Sequence, residues 1–254
     1  MTSFLRPALA GLFAVALCAN ASALEHAHWS YAGKTGPAEW AALAPDNATC
    51  KTGQQQSPVN LKAAKARTLD QHDAAIRYGR VAGRLNNNGH TLELDATGGS
   101  GNTVVVKGTE YRLAQFHFHT PSEHHLDGRA RPMEMHLVNK SAEGAIAVVG
   151  VLIKAGRKNE ALAPVFTRPP KSGAAGRDLE IDLAALLPAN RKALLYTGSL
   201  TTPPCSEQVQ WIVLEQPIEM SRAQIAAFGR LFPDNHRPLQ PLNGREPVVE
   251  NAGE

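Results

Sequence analysis

The sequence predicts a mainly β (α+β) protein: a single domain with a large central twisted, mostly antiparallel sheet and a few short peripheral helices. Three observations carry that expectation: recurring segments of alternating or β-branched character, few stretches of helical periodicity, and turn dipeptides suited to hairpins. In chain order the strand-like segments fall at 92–95, 103–107, 114–119, 133–139, 145–153 and 209–214. The turn signals Asn88-Gly89, Gly98-Gly99 and Asp127-Gly128 lie between such segments, where left-handed backbone is cheapest for Asn, Asp and Gly. One helix start is well marked. Ser221 is followed three residues on by Gln224, a capping box ahead of Ile225, Phe228 and Leu231. Asn159 ahead of Leu162, Val165 and Phe166 marks a second, shorter helix.

The first 23 residues read differently. Arg6 precedes an uncharged apolar run from Ala8 to Ala19, and Ala21-Ser22-Ala23 follows as a small-x-small cleavage pattern. This is the pattern of a cleaved secretory signal, with 24–254 as the mature domain and the periplasm as the expected compartment. Leu17 before Cys18 is bulky where a lipid-attachment signal needs a small residue. No later stretch approaches the ~20 apolar residues a membrane span needs. Cleavage leaves 25 basic and 23 acidic residues with no basic run, so neither nucleic acid nor membrane insertion is an expected partner. It also leaves two cysteines, Cys50 and Cys205, which an exported chain most simply pairs. Closing that loop of about 155 residues contributes roughly 4 to 5 kcal/mol in the chain-entropy model.

The most informative stretch is Gln115-Phe116-His117-Phe118-His119. Side chains alternate along a strand, so His117 and His119 share one face and the two phenylalanines the other. In Met133-Glu134-Met135-His136-Leu137-Val138 the same alternation puts Glu134 and His136 together. If these strands pair, three imidazoles converge, a zinc ligand set that leaves one tetrahedral position open to water. Neutral imidazoles leave the metal's two positive charges to act on that water. Gln115 and Glu134, two residues from His117 and His136, are placed to hold ring N–H groups. On spacing alone, two exposed strand histidines and an unrelated third remain an alternative.

The chain as a whole resembles the alpha class of carbonic anhydrases in its exported bacterial form, from His28-Trp29-Ser30-Tyr31 to Arg245. The matching pieces, in order, are Gln56-Ser57-Pro58-Val59-Asn60, Asn87-Asn88-Gly89-His90, Gln115 to His119, Ser122-Glu123-His124, Glu134 to Val138, Tyr196 through Pro204, and Arg237 through Asn243. The resemblance implies that His117, His119 and His136 hold Zn2+ and that zinc-bound hydroxide converts carbon dioxide reversibly to bicarbonate. That class is itself the standing example of a zinc-acidified water. It further implies that Thr201 accepts the hydroxide's hydrogen bond and passes its own to Glu123, and that His90 shuttles the proton. Tyr31, Asn87 and Asn88 match residues of the proton path, and Val138, Val148, Leu200, Thr202, Val209 and Trp211 match the substrate wall. Asn235 matches a residue that supports His119 through its carbonyl.

Inhibition by sulfonamides and anions, side esterase activity, and a monomer or homodimer are the corresponding expectations. Relatives that lost zinc ligands serve as interaction domains, but all three ligands are present here, with Thr201 and Glu123. Two positions depart from the pattern: Glu93 stands where a neutral amide is common, and Asn139 where a histidine is expected soon after His136.

Overall fold

The computed structural model describes residues 28–68, 73–98 and 101–253. The expected signal segment, 1–23, lies outside the described residues. Among those residues a twelve-stranded sheet dominates, and its continuous path holds ten strands. The order is Arg177–Asp182, Arg80–Asn87, Leu92–Ala96, Thr109–His119, Met133–Lys140, Ile146–Ala155, Glu207–Met220, Lys192–Ser199, Val248–Asn251 and Arg67–Thr68. Most neighbours are antiparallel; Ile146–Ala155 with Glu207–Met220 is parallel, as is the short pairing at the 67–68 edge. A mixed sheet that is mostly antiparallel is therefore the architecture. All six strand segments expected from alternation lie on strands, most of them longer than the sequence marks.

The sheet buries two unequal faces. Phe116, Phe118, Met135, Leu137, Val149, Val151, Ile212 and Leu214 point into the larger core. Val138, Val148, Leu194, Tyr196, Val209, Trp211 and Val213 line a smaller cluster on the other side, closed by Val59 and Leu61. The register makes the second face continuous: Gln115 pairs with Val138, Val138 with Val148, Val148 with Trp211 and Trp211 with Tyr196. One residue pair along, His117 lies directly opposite His136, and His136 opposite Gly150. A Cβ at Gly150 would come within 3.0 Å of Glu134 Oε1, so the glycine makes room for a buried carboxylate.

The helices are few and peripheral. Ser221 caps Arg222–Leu231, accepting from the Gln224 N–H while the Gln224 side chain accepts from Ser221 N–H, the reciprocal bond the sequence predicts. The second expected helix is a single turn, Ala163–Phe166. Asn159 Oδ1 accepts from Leu162 N at 3.0 Å and so folds the approach to that turn rather than capping it. Cys50 and Cys205 are joined by a disulfide across a sequence separation of 155. Among the described residues no helix is long and apolar enough to cross a membrane.

Candidate active site

His117, His119 and His136 are brought together by the pairing of Thr109–His119 with Met133–Lys140. Their ring centroids are 4.6 to 5.2 Å apart, and one nitrogen of each lies within 4.8 Å of the others. His119 and His136 are each 1% exposed.

The partner of the second nitrogen on each ring decides which nitrogen is free. Gln115 Oε1 faces His117 Nδ1 at 2.8 Å, the Asn235 carbonyl faces His119 Nδ1 at 2.8 Å, and Glu134 Oε1 faces His136 Nε2 at 2.9 Å. Carbonyl and carboxylate oxygens only accept, so each of these ring nitrogens carries the hydrogen. The lone pairs are then on His117 Nε2, His119 Nε2 and His136 Nδ1. His119 Nε2 is buried without a hydrogen-bond partner. All three imidazoles are held neutral by burial, which lowers their pKa values: His117 well below the ordinary range, His119 to about 4, and His136 in the same direction. Three neutral, anchored rings with convergent lone pairs fit a zinc ion and leave room for a fourth ligand.

A second buried group, His124, Glu134 and His136, also has metal-binding atom types. Its atoms are already spent on each other. Burial raises the Glu134 pKa, but the imidazoles of His124 and His136 outweigh it and hold the carboxyl well below the usual range. An ionised Glu134 must accept from His124 Nδ1 at 2.7 Å and from the His124 backbone N–H at 2.8 Å, as well as from His136. His124 Nε2 then accepts from Tyr196 Oη at 2.6 Å, which in turn accepts from Ser57 Oγ at 2.8 Å. Ser57 Oγ completes the chain by accepting from Ser199 N at 3.0 Å. A Cβ at Gly198 would collide with that Ser57 Oγ, so this glycine is required by close approach. Sequence reading gives His124 no role beyond its motif position; its signal was a histidine flanked by Glu123 and followed by an inward-facing glutamate strand.

Glu123 lies fully inside the site, with Oε2 3.5 Å from His119 Nε2 and 3.9 Å from His136 Nδ1. Its Oε1 accepts from the Arg237 backbone N–H at 2.8 Å. Burial raises its pKa, opposed by the His136 imidazole, the Thr201 hydroxyl and the Arg237 N–H. Thr201 is buried at the end of Lys192–Ser199, where Leu200 N donates to Ser206 O and Cys205 N to Thr202 O. Leu200 packs with Val138, Val148, Val209 and Trp211. Trp211 closes this wall, its ring 4.8 Å from that of His136. Thr202 is half-buried in the same turn.

His90 sits apart from the triad, stacked on Trp29 with ring centroids 3.7 Å apart and planes 6° from parallel. Burial and the neighbouring His28 lower its pKa. Asn88 Oδ1 accepts from both His90 N and Thr91 N, and Asn87 Oδ1 accepts from Gly89 N, so the two asparagines fold the turn that carries His90. Asn235 Nδ2 donates to His90 O and to Phe118 O, tying this turn to the triad strand. Tyr31 is edge-on to His90 at 6.5 Å; burial and then the charge of Glu123 raise its pKa well above the ordinary value. Glu93 pairs with His117 across the sheet, and burial followed by Asp95 raises it to about 7. Asn139 takes no part: it is buried on the opposite face, accepting from Tyr78 Oη.

A mostly antiparallel sheet bearing three histidines that could hold a metal ion on one face, with a buried carboxylate, a threonine turn and an apolar wall around them, defines a candidate metal centre. Residues 35–251 match the family model for eukaryotic-type carbonic anhydrase. A carbonic anhydrase of Pectobacterium atrosepticum is 40% identical over 242 residues, covering 92% of this chain and 98% of that one. The alpha-carbonic anhydrase of Thermovibrio ammonificans, solved with the inhibitor sulfanilamide, superposes with a TM-score of 0.83 at 42% identity, covering 87% and 99% of the two chains. Dioscorin, solved with ascorbate, superposes with a TM-score of 0.79 at 29% identity, covering 89% and 98%. The chain belongs to the eukaryotic-type, or alpha, carbonic anhydrase family, and it is an enzyme of that family acting on carbon dioxide and bicarbonate.

Proposed function

We propose that this enzyme hydrates carbon dioxide reversibly with zinc held by His117, His119 and His136, with Thr201 and Glu123 as catalytic residues and His90 as proton shuttle. The observation that carries the reading is the convergence of three ring nitrogens left free after their partners are assigned. Zinc bound there supplies an acidified water near neutral pH, an effect for which carbonic anhydrases are the standing example.

The chain's own residues do the rest. Gln115, Glu134 and the Asn235 carbonyl fix the ring tautomers and so the direction of the lone pairs. Glu123 has Oε1 taken by Arg237 and Oε2 buried without a hydrogen-bond partner, open to accept from the Thr201 hydroxyl. Thr201 is then an acceptor only toward the nucleophile, whose remaining lone pair faces the substrate carbon. Val138, Val148, Leu200, Val209 and Trp211 exclude water beside it and offer an apolar bed to an apolar substrate. Thr202 borders that bed. His90, with a pKa lowered from about 6.5, takes up the proton released in each turnover and gives it to buffer. Tyr31 lines the route, and Asn87 and Asn88 seat the turn at its end.

Activated esters, which also present an electrophilic carbonyl carbon, are expected to be slow side substrates, and sulfonamides and anions to inhibit. The Cys50–Cys205 bond supports an oxidising compartment, for which export and cleavage after Ala23 provide the route. The test is stopped-flow carbon dioxide hydration by the chain from Leu24 onward, before and after zinc removal and restoration. Fast hydration that vanishes with the metal and returns with zinc is the expected result. One tightly bound zinc without hydration would sink the catalytic roles.

A further inference from the structure

A carboxylate directs a hydroxyl only while its own rotation is fixed. Glu123 Oε1 is fixed by the Arg237 backbone N–H, 114 residues away in sequence. The Arg237 side chain, in a residue only 2% exposed, is clamped by groups from the other end of the chain. Its Nη1 donates to Gln56 Oε1 and to Ser57 O, both at 2.8 Å, and its Nη2 to Cys50 O at 2.9 Å. The guanidinium also lies 5.7 Å from the centre of the Trp40 ring. Every one of these acceptors is neutral. Burial works against the cation and the charge of Glu123 in its favour, while the rigid fork engages three separate neutral oxygens at once.

We propose that Arg237 is a positioning residue for the carbon dioxide reaction: its clamped guanidinium holds the backbone N–H that sets the rotation of Glu123 and thereby the direction of the Thr201 hydroxyl. The inference rests on the roles proposed above for Thr201 and Glu123. It extends to Gln56, which joins two lines of support: Gln56 Oε1 receives Arg237, while Gln56 Nε2 donates to Cys205 O at 3.1 Å on the segment that follows Thr201. Arg237 and the Thr201 turn are thus braced from one amide, and the carboxylate and hydroxyl are presented to each other in fixed register.

The test compares two probes on the zinc-loaded, disulfide-intact enzyme. A sulfonamide anion keeps a hydrogen on its binding nitrogen; azide carries none. An acceptor-only Thr201 favours the first, so the ratio of their affinities reads the hydroxyl's direction and not the fold. Arg237→Lys is expected to retain one zinc per chain and wild-type azide affinity. Sulfonamide affinity and kcat/KM should each fall about tenfold, with the buffer dependence of kcat unchanged. Gln56→Met, which removes one acceptor and leaves the arginine in place, should shift the ratio in the same direction and carries the test if Arg237→Lys does not fold. Glu123→Gln calibrates both. If Glu123→Gln moves the ratio and neither other variant does, the Arg237 assignment is overturned and the Thr201 and Glu123 roles stand. If Glu123→Gln leaves the ratio unmoved, those roles fall and Arg237 falls with them.

Discussion

The two faces of the strand pair Thr109–His119 and Met133–Lys140 are both largely buried, with Gln115 and His117 only partly so, and are chemically opposite. Phe116, Phe118, Met135 and Leu137 are 0% exposed in the larger core, while Glu134 is 0% and His119 and His136 are 1% exposed on the other side. Burial therefore does not separate a core from a site. What separates them is completeness: the apolar face fully satisfies its buried Asn139 through Tyr78 Oη and two backbone carbonyls, whereas the polar face satisfies one nitrogen of each histidine and leaves the other open. The first face holds the strands together, and the second uses their register to aim lone pairs.

The sharpest way to break that comparison is to remove one ligand. His119→Ala should lose zinc and lower carbon dioxide hydration by roughly 10³-fold or more, the scale of several kcal/mol of metal assistance. The far-ultraviolet circular dichroism should stay that of the parent. Metal content and stopped-flow rates check it, and retained zinc with retained activity would remove the triad. On the opposite face, Phe118→Ala should cost about 3–5 kcal/mol by urea titration while the folded fraction still binds one zinc. If zinc is lost in step with activity in a still-folded protein, the two faces are not separable.

Smaller effects sharpen the picture. Glu134→Gln replaces an acceptor of three hydrogen bonds and should weaken zinc about 10- to 100-fold in a chelator competition. His90→Ala should lower turnover in weak buffer by up to about 10²-fold, with partial recovery on adding imidazole. Recovery that fails at every imidazole concentration would count against the shuttle. A further effect is on the metal-free chain. His119 titrates near 4 when folded and near 6.5 when unfolded, so between those values the unfolded state binds more protons. Its contribution is fully present above about 6.5 and is lost as pH falls toward 4. Urea midpoints of the metal-free protein should decline across that window, and a flat profile would refute the burial argument.

Much of this was legible in the sequence because it is local. The alternation at 114–119 and 133–139 fixes which residues share a face before any pairing is known, and the capping box at Ser221 depends on four residues. The strand Arg80–Asn87 was harder: its outward positions are Arg80, Ala82 and Arg84, and Gly83 sits inward, so β-branched character is thin. Lys192–Ser199 likewise lacks a β-branched run. The parallel pairing of Ile146–Ala155 with Glu207–Met220 depends on the excursion between them, which no local pattern encodes. Within the site, spacing put His117 with His119 and Glu134 with His136 and placed Gln115 beside them, but only the family resemblance chose the three histidines as a ligand set. Glu123 reads as a surface carboxylate unless the family resemblance is used. Arg237 falls in a matching piece, but its contact with Glu123 is invisible from sequence because the partners lie more than 100 residues apart.

The Cys50–Cys205 bond has a topological consequence. His90, His117, His119, Glu123, His136 and Thr201 all lie inside the covalent ring it closes, while Tyr31, Val209, Trp211, Asn235 and Arg237 among the supporting residues lie outside. A protease that cuts once anywhere within that ring produces two polypeptide ends but still one molecule. Such a nicked enzyme keeps the three proposed ligands tethered to each other through the disulfide. It should migrate as a single species until reductant is added, so a clip need not scatter the metal site.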